Sequence, residues 1–553
     1  MQQRLRWTAG AALGALAAAA LAGCGGGGGG GAAQAREPIG GATGNELAEA
    51  QVLRLGNGAE IQTLDPQRGQ DIPSSNVARD VFEGLVNEAP NGDPVPGAAE
   101  SWTVSDDGKT YEFKLRRDAR WSNGDPVTAD DFVYGLRRGA DPATASAYSF
   151  ILSPIVNADE ITAGHLPPKE LGVRALDDYT LEIKLKNPTP YFIVLLAHSI
   201  TYPLHRASVE KYGVEFTRPG NLVGNGAFML ADWVVQSHIK LVRNPYYWDN
   251  ASNKLDEVWY YPTENQSAEL KRYRAGELDQ TYWVPTAELD WIRKNLPAEL
   301  LIAPYLATYY YGFNLTRPPF KDNLNLRRAL TLAVNREVIT KQVLGAGQIP
   351  AFGFVPPVIH YTGQQMPEAA WTQEQREAEA KRLYAAAGYS AEHPLQTEII
   401  YNTEDDHRRI AVAIAAMWKQ VLGVETAITQ QEWKVFLDTR NQRRDTQVYR
   451  NGWTGDYNDA FTFAELYRSN AGLNDSGYDN PEYDRLVTAA QSELDLDKRA
   501  ELLQQAEKTL LADLPILPLY FYVSTRMTKP WVKGYYPNIM DHQLHKNFYV
   551  LRH

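Results

Sequence analysis

Apolar positions along this chain switch between two periods, and the switches lay out the elements. Residues 51–55 make a short strand. After the Leu64-Asp65-Pro66 turn, Ser74-Ser75 supplies a cap for a helix with Val77, Val81, Phe82 and Leu85 on one face. Trp102 and Val104 run into Asp106-Asp107-Gly108, and Tyr111, Phe113 and Leu115 alternate on the return, the signature of a hairpin. Thr128 with Asp131 three residues on forms a capping box for a helix through Phe132, Val133 and Leu136. Alternation resumes at Leu181, Ile183 and Leu185 and through residues 228–235 and 239–242, punctuated by Asn-Pro and Pro-Tyr steps. The second half turns more helical: residues 325–344, 374–388, 405–422 and 497–512 carry helical spacing, separated by strands at 395–401 and 424–430. This alternation predicts α/β lobes without an internal repeat.

The start of the chain does not belong to that pattern. Arg4 and Arg6 precede an apolar run over residues 11–22, too short to span a bilayer and shaped like a secretory signal. It ends Leu21-Ala22-Gly23-Cys24, which resembles a bacterial lipoprotein cleavage box, with Cys24, the one cysteine, as the lipidated first residue of the mature chain. Residues 1–23 are then a signal peptide and 24–49 a glycine-rich leash, which behaves as a flexible coil and tethers without orienting. The remaining length exceeds what one core usually accommodates, so two or three lobes are expected. A net charge of −12 argues against nucleic acid or an anionic membrane as partner. The 31 Tyr and 13 Trp supply broad, rigid contact area that suits either binding or core packing.

Catalytic arrangements are missing. There is no Gly-x-Ser-x-Gly elbow, no His-Glu-x-x-His and no Gly-x-x-x-x-Gly-Lys-Ser/Thr phosphate loop, and the ten His include no metal-spaced pair. Gly56-Asn57-Gly58-Ala59 lacks the third glycine of a dinucleotide fingerprint and is a turn. Asp130-Asp131 and Glu404-Asp405-Asp406 suit general acids, yet helix starts favour such residues anyway. The expectation is a binding protein without a cofactor or metal, not an enzyme.

A resemblance sharpens that expectation. Leu64-Asp65-Pro66, Val81-Phe82-Glu83-Gly84-Leu85, Pro96-Gly97-Ala98-Ala99-Glu100-Ser101-Trp102 and Trp121-Ser122-Asn123-Gly124-Asp125-Pro126-Val127-Thr128 occur in one order. So do Asn225-Gly226-Ala227-Phe228, Arg243-Asn244-Pro245-Tyr246-Tyr247-Trp248, Gln431-Glu432-Trp433-Lys434-Val435-Phe436 and Gly452-Trp453-Thr454-Gly455-Asp456-Tyr457-Asn458. Together they resemble the bacterial peptide- and nickel-binding proteins of extracellular solute-binding family 5, and within it the members that take oligopeptides and murein peptides. The resemblance implies an α/β, bilobal, periplasmic-binding-protein-like fold of the large type II class with an additional third lobe, closing by hinge bending over its ligand. Lobe I would comprise 50–82, 207–308 and 523–553, lobe II 83–206, and lobe III 309–522. The implied protein is a periplasmic, lipid-anchored monomer that captures short peptides and serves an inner-membrane ATP-binding-cassette permease and its ATPase subunits. A murein-peptide or other restricted ligand, or a moonlighting adhesin or chaperone role, are the alternatives.

The resemblance also assigns residues. Asp456 falls where a carboxylate pairs with the ligand's α-ammonium group, although Gly455-Asp456-Tyr457-Asn458-Asp459 is equally good turn chemistry. Arg450, Arg440 and His407 fall on basic positions serving the ligand's carboxyl end, with solvated helix faces as the alternative for Arg440 and His407. Gly452 and Thr454, with Ile72 and Tyr148 on the facing lobe, match segments that hydrogen-bond the ligand backbone by strand addition. Trp433, Trp453 and Tyr522 would line side-chain pockets or else sit in the core. A disulfide of some relatives is replaced here by Ala307 and Thr454, a lysine by Leu344, and amides by Trp283-Val284.

Overall fold

The computed structural model describes residues 44–553 apart from 90–91, 359–360 and 444–445, so the expected signal segment and Cys24 lie outside the described residues. No helix among the described residues is long and apolar enough to cross a membrane.

Three larger sheets organise the described chain. The first has the order Val52–Gly56, Glu257–Tyr261, His238–Arg243, Phe228–Val234, parallel at its first pair and antiparallel thereafter. One face, carrying Leu53, Leu55, Ile239, Leu241, Val258 and Tyr260, is buried, as period-two patterning requires. The second sheet, Ala99–Val104, Thr110–Leu115, Thr180–Lys184 and Val173–Asp177, is wholly antiparallel and lies in sequence between two strands of the first. Its hairpin turns where expected, with Trp102 opposite Phe113, Val104 opposite Tyr111 and Gly108 at φ +67°. The third is mixed, in the order Ile349–Pro350, Ile516–Met527, Leu300–Phe313, Val448–Thr454, Gln396–Asn402, Glu425–Gln431.

Most local expectations hold. Thr128 and Asp131 form the capping box of Ala129–Ala140, with the Thr128 N–H donating to Asp131 Oδ2 at 2.8 Å. Helices Gln373–Ala386, Asp405–Leu422 and Leu496–Asp513 and strands Gln396–Asn402 and Glu425–Gln431 lie within a residue or two of their predicted ranges.

Three expectations fail. Leu85 lies beyond the first helix, which ends at Val81 where Phe82 turns to extended backbone. Ser74-Ser75 does not cap the first helix. Ile72–Val81 starts earlier, because Asp71 Oδ1 accepts the Ser74 N–H at 2.6 Å and Pro73 sits in the first turn, where its missing N–H costs nothing. Residues 325–344 are not one helix. Leu324–Leu332 stops, Asn335 Oδ1 accepts the Val338 N–H, and a wider π-type turn follows over Val338–Leu344. Arg336 anchors the break, its buried Nε donating to Ala351 O (2.7 Å) and Pro518 O (2.9 Å).

The longest strands, Leu300–Phe313 and Ile516–Met527, have no alternation for sequence reasoning to find. Tyr309 and Tyr311 pack into one core and Tyr310 into another, so both faces are apolar.

Candidate ligand-binding site

The Val448–Thr454 strand carries four of the candidate residues, Arg450, Gly452, Trp453 and Thr454. It is antiparallel to Leu300–Phe313 along its whole length, with Arg450 opposite Tyr311, Gly452 opposite Tyr309 and Thr454 opposite Ala307. On its other side the parallel ladder to Gln396–Asn402 includes only Val448 and Tyr449. Residues 450–454 are therefore laddered on one side, which leaves a strand edge of the kind an extended chain can join.

Arg450 projects from this strand into an aromatic corner. Its guanidinium lies 4.9 Å from the Tyr309 ring centroid, Nη2 donates to the Tyr522 hydroxyl at 2.8 Å, and Nη1 reaches Asn402 Oδ1 at 3.4 Å. Its Nε is buried without a hydrogen-bond acceptor, and no carboxylate among the described residues forms an ion pair with it. Trp283 and Tyr305 extend the corner, with ring centroids 6.5 Å and 6.3 Å from that of Tyr522. Tyr522 stands in this corner and also packs against the buried core that includes Tyr309 and Tyr520.

The other two basic candidates differ in kind. Arg440 already has a partner: Nε lies 2.9 Å from Asp475 Oδ2, without hydrogen-bond alignment, and Nη1 donates to Asn451 Oδ1 at 2.8 Å, with the whole group buried. His407, in the first turn of Asp405–Leu422, is buried with Nδ1 3.1 Å from Glu404 Oε2 and 3.2 Å from the Tyr309 hydroxyl. Burial first, and then the charge of Arg450, hold its pKa well below the usual imidazole range, so the ring is neutral. Burial, with Asp406 next, pushes Glu404 up to about 7. Arg450 is thus the basic candidate that forms no ion pair with a carboxylate among the described residues, although its charge reaches Glu404 and opposes that group's upward shift.

Asp456 lies just past the strand, in a bend. Its side chain is 9 % exposed, its Oδ2 is buried without a hydrogen-bond partner, and burial raises its pKa well above the carboxylate range, with the charge of Glu465 adding to the shift. The facing group is His198, whose Nε2 stands 3.9 Å from Asp456 Oδ1. Tyr148 packs against that imidazole, ring centroids 4.7 Å apart, and Asp456 in turn contributes to raising the Tyr148 pKa after burial. A carboxyl in this setting can ionise only by gaining a cation.

The remaining candidates scatter around this centre. Ile72 is exposed at the start of its helix. Trp453 donates its indole N–H to Thr462 O at 2.9 Å and packs against the core, and Trp433 lies half-buried on Phe436. Sequence reasoning missed His198 and Tyr191. Tyr191 stacks on Tyr457 at 5.5 Å and on Phe461 at 5.0 Å, with Arg499 4.9 Å over its ring. Nothing local marks either residue, since their partners are far away along the chain.

The sequence pattern described as bacterial extracellular solute-binding proteins, family 5 Middle, matches residues 93–475. The periplasmic oligopeptide-binding protein OppA of Escherichia coli (strain K12) is 43% identical over 515 residues, covering 92% of this chain and 94% of that one. The structure of the Escherichia coli murein tripeptide binding protein MppA superposes with a TM-score of 0.88 at 40% identity, covering 92% of this chain and 100% of that one. Haemophilus influenzae OppA in complex with RPPGFSPFR gives 0.87 at 41% identity with the same coverage. The unliganded open form of MppA superposes at only 0.70, at 40% identity over 92% of this chain and 99% of that one.

Proposed function

Because the chain belongs to the bacterial extracellular solute-binding proteins of family 5, we propose that it captures short oligopeptides by their backbone and termini and delivers them to an ATP-binding-cassette permease. Asp456 carries the reading. Its buried carboxyl, with one oxygen unpartnered, suits a ligand ammonium group, which would form a charge-assisted pair in a desolvated cleft. At the other end, Arg450 suits a carboxylate through its fork geometry. The two are six positions apart, at most about 20 Å of extended chain, which a peptide of a few residues spans. The open edge at 450–454 supports main-chain recognition that leaves ligand side chains unread. Gly452 belongs there because a Cβ would come within 3.1 Å of the Tyr522 hydroxyl.

The three lobes expected from the sequence belong to this proposal. Their boundaries at 308/309 and 522/523 fall inside the two longest strands, whose mutual register shifts between Pro304 and Thr308 and again between Tyr309 and Tyr310. Such irregularities suit a bending point. The weaker superposition on an open form supports a closed arrangement here. Lipidation at Cys24 would hold the carrier at the membrane, working as a periplasmic monomer.

The test is calorimetry with free and N-acetylated tripeptides. Asp456→Asn is expected to weaken free peptides by about 2–5 kcal/mol while acetylated ones change little. A wild-type protein that binds both equally would overturn the amine anchor. A restricted ligand such as a murein peptide is the second reading, favoured by the close superposition on MppA. Mass spectrometry of co-purifying ligand separates the two, since mixed sequences fit general capture and a single compound fits the restricted reading.

A further inference from the structure

His198 is the group facing Asp456, and its two ring nitrogens have different surroundings. The Ile200 N–H donates to Nδ1 at 3.2 Å, so Nδ1 must keep its lone pair. A neutral ring in that position carries its proton on Nε2, the atom that stands 3.9 Å from Asp456 Oδ1. The imidazole has little freedom to turn away: its side chain is 14 % exposed, Tyr148 packs on it, and the ring accepts from the amide within its own short turn, Ser199–Thr201.

We infer that His198 is a positioning residue for Asp456, its tautomer set by the Ile200 amide so that Nε2–H donates across the cleft to Oδ1 when a ligand ammonium group ionises the carboxyl. This rests on the amine-anchor reading of Asp456. The gap is about 1 Å longer than a hydrogen bond, a distance that a small side-chain shift closes. With no ligand, burial disfavours the charged form of both groups. Burial, followed by the charge of Arg79, pushes His198 down to about 3, so it brings no positive charge that would satisfy Asp456 and block the ligand. When the ammonium arrives and the carboxyl proton leaves to solvent, the His198 contact becomes charge-assisted, roughly twice as strong as its neutral counterpart. Donation to Oδ1 fixes the carboxylate plane and leaves Oδ2, the unpartnered oxygen, for the ligand. His198 therefore adds affinity only for ligands with a free amine.

Two substitutions separate this role from a purely local one. In His198→Asn the side-chain oxygen stands where Nδ1 was and still accepts the Ile200 N–H, but nothing reaches Asp456. In His198→Gln the amide group stands near the Nε2 position and can donate to Asp456, at the expense of the local turn. The full chain is titrated calorimetrically with tri-alanine and with N-acetyl-tri-alanine, and the ratio of the two affinities is read for each variant. The ratio is expected to fall about tenfold in His198→Asn and to remain nearer the wild-type value in His198→Gln. A ratio in His198→Asn equal to or above that of His198→Gln overturns the positioning role, leaving His198 as a turn cap. A wild-type protein that shows no preference for the free amine instead overturns the underlying reading of Asp456, and this inference with it.

Discussion

Asp456 and Asp475 are both buried acids beside the same strand, and what separates them is the company each keeps. Asp475 has a cationic partner in Arg440 at 2.9 Å, whereas Asp456 has none among the described residues and faces the neutral imidazole of His198. Residue type announced neither outcome. A third buried acid gives a solution prediction. Glu269 accepts the Tyr282 N–H, and burial pushes its carboxyl up to about 8, offset in part by that bond and by Arg526 and Arg272. Unfolded, the same group titrates near 4.5. Between those values the folded protein holds a proton the unfolded chain has released, so stability falls as pH rises through the window. Glu404 and Glu465, both near 7, act in the same sense. The depressed His198 and His407 act oppositely, but only below their unfolded value of about 6.5. Above that pH the carboxyls act alone among these groups. Urea midpoints are therefore expected to drop between pH 6.5 and 8, and Glu269→Gln to flatten the drop. An unchanged slope in that variant would count against a buried proton on Glu269.

At the scale of elements, caps and hairpin turns were legible because their signals are local. Thr128 with Asp131 and the Asp106-Asp107-Gly108 turn depend on neighbours within a few residues. Elements whose faces are both covered were not legible, since a Tyr-Tyr-Tyr run buried on two sides has no period to show. The Asn225-Gly226 step is a case where the motif was visible and its purpose was not. Asn225 bonds the backbone of Glu83 twice, accepting its N–H at 3.0 Å and donating to its carbonyl at 2.8 Å. Gly226 then lies against the end of the Ile72–Val81 helix, where a Cβ would stand 2.5 Å from Asp80 O and 2.7 Å from Phe82 N. Backbone cannot move aside as a side chain can. Gly226→Ala is expected to destabilise by about 1–3 kcal/mol in urea unfolding. A loss under about 0.5 kcal/mol, the range of inert surface changes, would mean the junction is looser than described.

For the whole molecule, the contacts that matter join segments distant in sequence. Tyr191, which follows the second sheet, is held between Tyr457, Phe461 and Arg499, and Arg499 is itself fixed by two 2.8 Å hydrogen bonds to Asp459. None of these aromatic contacts involves the Asp456 carboxyl or Arg450, so their effect on binding should run through closure. Removing the ring by Tyr191→Ala takes away contacts worth about 1.4 kcal/mol, and affinity for free and N-acetylated peptides is expected to fall by the same factor, roughly tenfold. Unequal losses would place Tyr191 in contact with the ligand's amino terminus instead. This pattern is the opposite of that expected for His198, and the two measurements together separate closing the cleft from reading the amine.

The amino-acid sequence by itself determined the family, the α/β character, most helix and strand ranges and the identity of Asp456 and Arg450 as candidates, because periodicity, caps and ordered motifs are properties of neighbouring residues. Only the tertiary structure decided which charges remain available: Arg440 is neutralised by Asp475, His407 is made neutral by burial, and Asp456 is left with an open oxygen beside His198. Desolvation and pairing depend on what folding brings near a group. Those neighbours, such as His198 for Asp456 or Tyr309 for Arg450, lie on segments that the chain joins only in three dimensions.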